Sequence, residues 1–141
     1  MTLQFTLLVE PKSTQHGARA GLRRGKIRFY NDSEKTAYQT QIVLESKHHA
    51  PPAPLEGPLQ VRYRFFFGRP KSWKPPVKWV HPHSAMPYKV KPDVVNLAKG
   101  TEDALTKAGF WVDDKQVVSL TIEKWYVELD PPRIEVTIET L

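Results

Sequence analysis

The chain has 141 residues, enough for one domain with a real core, and no cysteine, which removes disulfides, thiolate metal sites and cysteine nucleophiles. Its formal net charge is +6; residues 1–92 carry 16 basic and 5 acidic side chains, and residues 93–141 carry 5 and 10. A basic first part beside an acid-rich second part suits a protein that holds a polyanion and needs cations for chemistry, although a solvated charged surface has the same composition.

Residues 3–9 have strand composition, and Pro11 ends them. Residues 11–28 are loop-like and basic, with Arg19, Arg23, Arg24, Lys26 and Arg28 among three glycines, Gly17, Gly21 and Gly25. Such an arm can follow a phosphate backbone, which makes Arg23 and Arg24 candidate DNA contacts; the plain alternative is a surface loop. Asn31 to Glu34 offers helix caps, and the spacing predicts a helix from about Ser33 to Lys47. Ala37, Gln41 and Leu44 share one line on it, and Tyr38 and Ile42 the neighbouring one, so that face is expected to be buried. His48 and His49 close the helix before a proline-rich break. A pair of histidines there suits a helix end, with its negative dipole, better than a metal site.

Leu59 to Phe67 alternates apolar with polar residues and predicts a strand, with Val61, Tyr63 and Phe65 on one face and Arg62 and Arg64 on the other. Residues 68–91 have no regular pattern. They hold Arg69, Lys71, Lys74, Lys78, Lys89 and Lys91, no acid, and Trp73, Trp79 and Tyr88 between them. Basic groups interleaved with rings suit a nucleic-acid grip, the charges on phosphates and the rings on unpaired bases. The candidate DNA contacts in this loop are Arg69, Lys71, Trp73, Lys74, Lys78, Lys89 and Lys91. A proline-rich linker whose tryptophans pack on the domain is the structural alternative. His81 and His83 are a weak metal signal without carboxylates nearby.

Residues 93–108 predict an amphipathic helix. Asp93 follows Pro92 as an N-cap type, Val94, Leu97, Ala98, Leu105 and Ala108 form the apolar stripe, and Gly109 stops it. Gln116 to Glu128 and Arg133 to Leu141 predict two further strands. Two helices against a mixed or mostly antiparallel sheet of about four strands, with long basic loops, make an α+β domain over residues 1–141. No apolar run approaches the ~20 residues that cross a bilayer, and Met1 to Glu10 lacks the charged start of a signal peptide. A cytoplasmic protein without a membrane partner is expected.

The run Lys91, Pro92, Asp93, Asn96, Leu97, Lys99, then Asp103, Ala104, Leu105, then Asp113, Asp114, Gln116, Val117 resembles the signature of the RusA family of Holliday junction resolvases, roughly K-P-D-x-D-N-L-x-K, D-A-L and D-D-x-Q-V. The resemblance implies a magnesium-dependent crossover junction endodeoxyribonuclease. It would act as a homodimer on four-way DNA junctions in recombination and repair, in the host cytoplasm if phage- or prophage-encoded. It implies Asp93, Lys99 and Asp114 as catalytic residues, and Asp93, Asp113 and Asp114 as ligands of one or two magnesium ions. Two such ions activate water and stabilise the leaving oxygen from opposite sides. Asn96 matches the motif asparagine, a hydrogen-bonding support.

Val95 stands where the family pattern has its second aspartate. An aliphatic side chain binds no cation, so one alternative is a junction-binding protein with cleavage reduced or lost. Glu102 is not expected to reach back to replace it. Setting the resemblance aside, the basic and aromatic loops alone also suit a small RNA-binding module.

Overall fold

The structure is a computed structural model that describes residues 1–12, 20–23, 26–29, 32–68, 85–87, 93–127 and 130–141, the segments 20–35 and 85–87 by their backbone alone. Four long strands make a mixed sheet: β1 (Thr2–Leu7), β4 (Leu59–Gly68), β6 (Val117–Val127) and β7 (Arg133–Thr140). A three-residue strand, β5 (Ala85–Pro87), extends it, giving the order β1-β7-β4-β6-β5. Neighbours are antiparallel except β4 and β6, which run parallel. Two helices, α1 (Asp32–Ser46) and α2 (Val94–Ala108), complete the α+β domain.

The alternation in β4 and β7 determines which face the helices cover. Val61, Tyr63 and Phe65 lie opposite Ile138, Val136 and Ile134, and all six are buried. They pack with Phe5 and Leu7 of β1, Tyr38 and Ile42 of α1, and Leu97, Ala98, Ala104 and Leu105 of α2 in one core cluster. On the opposite face Arg64 Nη1 donates to Glu135 Oε1 at 3.3 Å, and Arg133 lies 3.9 Å over the Phe66 ring. The half-exposed ion pairs there contribute less than about 1 kcal/mol each. Truncating a core ring costs roughly 3–5 kcal/mol. Most of the stability therefore resides on the helix side, and on the opposite face Arg64 is engaged by Glu123 and Glu135.

Four expectations need correction. The basic stretch 11–28 is not irregular throughout: β2 (Ala20–Arg23) and β3 (Lys26–Phe29) pair as an antiparallel hairpin joined by two residues. Leu22 stands opposite Ile27 in it, so short apolar positions suffice where the glycines and arginines suggest a loop. The stretch 68–91 likewise contains β5, held to the end of β6. On α1 only the Tyr38–Ile42 line is buried, because the helix meets the core along a narrow seam; Ala37 and Gln41 are exposed and Leu44 is 58% exposed. On β6 the apolar side chains do not all turn inward: Val118 is 63% and Leu120 41% exposed. Arg24, Arg69, Lys71, Trp73, Lys74, Lys78, Lys89, Lys91, His81 and His83 lie outside the described residues, and Arg23 is described by its backbone in β2.

Helix α2 is anchored at both ends. The Leu97 amide donates to the Asp93 carbonyl at 3.1 Å, but the Asp93 side chain makes no capping hydrogen bond, so its carboxylate is not used to hold the helix. At the other end Gly109 adopts φ +90°, and its amide reaches the Leu105 and Thr106 carbonyls. A left-handed residue at this place closes the orphan carbonyls, and glycine takes it without a Cβ penalty. The buried face also includes Gly100, Thr101 and Ala104 beyond the aliphatic stripe; Thr101 Oγ1 donates to the Leu97 carbonyl at 3.0 Å, which lets a hydroxyl sit in the core.

Candidate active site

The chain leaves α2 at Gly109 and returns through a single 3-10 turn, Asp114–Gln116, into β6. Gln116 fixes that return. Its Nε2 donates to the Leu55 and Gly57 carbonyls at 2.8 and 3.1 Å, and its Oε1 accepts from the Val112 and Asp113 amides at 2.9 and 3.0 Å. Asp113 Oδ1 accepts from the Lys115 amide at 2.9 Å. Reciprocal bonds of this kind form a capping box. They leave the second aspartate, Asp114, exposed. The sequence places Gln116 inside the motif, but only the structure reveals it as the support of both aspartates.

Acidic groups accumulate at this end of α2. Asp103, Asp113 and Asp114 line an open depression with Gln39 of α1, Thr106, Lys107 and Val112. The carboxyls of Asp113 and Asp114 hydrogen-bond each other. That bond, with some burial and the negative charges of Asp113 and Asp103, pushes Asp114 above the usual aspartate range. Asp113 is held low, chiefly by the Lys115 amide. Glu102 is pushed up to about 7 by burial first, then by Asp114 and Asp103. Its Oε1 is buried and has no hydrogen-bond partner among the described residues. Burial and the same acids, Glu102 and Asp103, also raise the Tyr63 phenol well above its ordinary value. Carboxyls that crowd together and hold protons tightly have a negative local potential, which a bound cation would relieve.

Asp93 lies elsewhere. It is exposed at the start of α2, ten residues before Asp103, which is roughly 15 Å along a helix axis. Its nearest described charge effect is on Lys124 of β6, whose ammonium is pulled below its ordinary pKa by burial while Asp93 pulls it back up. Lys99 is exposed between the two ends, one turn from Val95 and one turn from Asp103 on the same helix ridge. Val95 is 66% exposed, so nothing in the core requires an aliphatic side chain there. The structure thus brings Asp113 and Asp114 together with Asp103 and Glu102, and leaves Asp93 at the opposite end of α2 within one chain.

Magnesium takes carboxylate oxygens, keeps several waters, and is commonly held by one or two carboxylates plus substrate phosphate. The adjacent carboxyls of Asp113 and Asp114 fit that donor set, and Asp93 adds an exposed carboxylate whose oxygens the helix does not use. No three carboxylates or histidines among the described residues converge on a single ion position. The paired histidines are not part of any such set: the His49 ring stacks on Phe5 at 5.1 Å, closing the helix against the core.

Comparison with known proteins covers most of the chain. The family described as endodeoxyribonuclease RusA matches residues 9–139. The protein YqaN of Bacillus subtilis (strain 168) is 30% identical over 138 residues, 96% of this chain and 94% of that protein. Crossover junction endodeoxyribonucleases RusA of Enterobacteria phage 82 and of Escherichia coli (strain K12) are each 49% identical over 53 residues. That match spans 38% of this chain and less than half, 43%, of each of those proteins.

Proposed function

Since the chain belongs to the RusA endodeoxyribonuclease family, we propose that it is a Holliday junction resolvase that nicks paired strands of four-way DNA junctions with magnesium. The observation that carries this reading is the acidic turn, fixed by Gln116, in which Asp113 is held low chiefly by the Lys115 amide and Asp114 is raised chiefly by its contact with Asp113. Asp93, Asp113 and Asp114 would hold the metal, with Asp93 and Asp114 the principal ligands contributed by different copies, since one copy keeps them at opposite ends of α2. Bound there, magnesium supplies a Lewis acid that activates water and stabilises the leaving oxygen. The protein's own contributions are more local. Lys99 offers a mobile positive charge on the exposed ridge of α2, where it stabilises charge developing on the scissile phosphate. Asn96, half-buried in the first turn of α2, supports the site by hydrogen bonding. The basic segments around Arg23, Arg24 and residues 69–91 hold the DNA arms, and the chain works as a homodimer so that two strands are cut.

Val95 sets a second reading apart: junction binding intact, cleavage weakened. The position is exposed, so a carboxylate there meets no steric obstacle. The test is a labelled four-way junction incubated with magnesium and either the chain or its Val95→Asp variant. We expect binding to be the same and cleavage by the variant to be at least tenfold faster. Equal cleavage by both would remove the impairment from the account; failure of both to cut any junction would remove the nuclease reading. Preference for single-stranded RNA over the junction in a competition gel shift would favour an RNA-binding module instead.

A further inference from the structure

Two buried polar atoms beneath α2 have no hydrogen-bond partner among the described residues: Glu102 Oε1 and the Tyr63 hydroxyl. Buried polar groups are nearly always hydrogen-bonded, and one left without a bond costs free energy unless water or an ion meets it. Tyr63 is fully buried in the middle of β4, opposite Ile122 of β6 and Val136 of β7. Glu102 stands at the margin of the buried face of α2. Its neighbours one turn away on either side, Ala98 and Leu105, are buried, while the next residue, Asp103, lines the open depression. None of the ion pairs among the described residues includes Glu102. A carboxylate oxygen is thus turned under the helix with no basic side chain to meet it.

Both atoms belong to the neighbourhood of the acidic turn. Helix α2 packs against β6 and against the turn Asp114–Gln116. After burial itself, the charge of Asp114 acts on Glu102, and those of Glu102 and Asp103 act on Tyr63. The donor set is oxygen only, and a hard cation such as magnesium needs no more than one or two carboxylates with water and phosphate. A phenol can donate a hydrogen bond to a ligating carboxylate, which orients it. We propose that Glu102 is a further ligand of the divalent cation at Asp114, with the buried Tyr63 hydroxyl as the donor that positions its carboxylate once the cation is bound.

The place of Glu102 on α2 also bears on Val95. Seven residues nearly complete two helical turns, so Val95 and Glu102 lie on one ridge, roughly 10 Å apart along the axis. Val95 binds no cation. Glu102 does not reach back to its place but lies at the end of the ridge nearer the acidic turn. It strengthens the hold on the cation without supplying a carboxylate at position 95, so the cleavage gain expected of Val95→Asp is unaffected. The proposal rests on the nuclease reading for what the cation does, but not for its binding.

Magnesium binding to the full chain without DNA, measured by calorimetry at pH 8, tests the ligand. Glu102 is ionised there, since its carboxyl titrates at about 7. Glu102→Gln keeps the shape and removes the charge, and is expected to bind magnesium about tenfold more weakly or worse. Asp103→Asn removes the same charge from the next residue and is expected to weaken binding less than about threefold, as a group that contributes field alone. Parent-like affinity in Glu102→Gln overturns the proposal, and so do equal losses in the two variants, which would reduce Glu102 to part of the general negative field. Tyr63→Phe tests the positioning. Its hydroxyl has no partner in the metal-free chain, so its removal is expected to leave the melting temperature in EDTA at or above that of the parent. The rise in melting temperature on adding magnesium is expected to be smaller than in the parent. A lower melting temperature in EDTA with the full magnesium-dependent rise overturns the role of Tyr63. A parent that binds magnesium through Glu102 but cuts no junction leaves this site standing and removes the nuclease reading. A parent that cuts junctions with magnesium while Glu102→Gln binds the ion equally well leaves the nuclease reading standing and removes this site.

Discussion

Gln116 is the residue on which the acidic turn depends, because one side chain closes four backbone groups from two segments. Replacing it with alanine leaves the Leu55 and Gly57 carbonyls and the Val112 and Asp113 amides without that partner. A net hydrogen bond contributes about 1 kcal/mol, and the partly exposed groups recover some from water. Gln116→Ala is therefore expected to lower stability by roughly 2 kcal/mol in urea unfolding, and to lower cleavage more than junction binding, since the displaced groups are the aspartates. Glu102 predicts a pH dependence. Its carboxyl titrates near 7 in the fold against about 4.5 when free, so the folded state holds the extra proton between those values. Its stabilising contribution is thus full below pH ~4.5 and disappears as pH rises through ~7. Glu102→Gln, which mimics the protonated form, should gain about 1 kcal/mol over the parent at pH 8 after allowing for partial exposure, and almost nothing at pH 4. A constant difference at both values would mean that the carboxyl does not titrate in this window.

At the scale of elements, α2 is the piece most visible in the sequence. Pro92, the aliphatic stripe and Gly109 define its ends, and the structure places them at Val94 and Ala108. Gly109→Ala puts a Cβ at φ +90° with no atom within 4 Å of it. Any loss is then backbone strain alone, expected at about 1 kcal/mol by thermal unfolding. Strands β4 and β7 were equally legible, because one buried face imposes a period of two. The hairpin β2–β3 and the three-residue β5 were not: four-residue strands give too few alternations to rise above glycine and arginine. The inward face of β6 was misleading for a different reason. Val118 and Leu120 alternate as a buried strand does, yet the helices do not extend over the sheet's edge there. Of the acidic residues, the sequence supplied the identities and their order. Their separation could not be read from it, because it depends on the length of α2 and on the direction in which the chain returns.

For the molecule as a whole, charge is divided along the chain: the excess of basic groups is in residues 1–92, the excess of acids in 93–141. The first part attracts a polyanion and the second repels it unless cations intervene. Junction affinity should therefore fall steeply with salt, by at least tenfold between 50 and 200 mM, since each phosphate contact releases counterions. Replacing Lys71, Lys74 and Lys78 together by alanine should flatten that slope on a plot of log affinity against log salt, with cleavage per bound junction unchanged. An unchanged slope would take this loop out of the DNA interface.

The most direct measurement is a gel comparing a four-way junction, a linear duplex and a single strand, each with and without magnesium, for the parent chain and for Asp114→Asn. Paired nicks in the junction alone, dependent on magnesium and lowered at least a hundredfold in Asp114→Asn while junction binding persists, are the result predicted. Metal-independent cleavage, equal cutting of all three DNAs, or full activity in Asp114→Asn would contradict it.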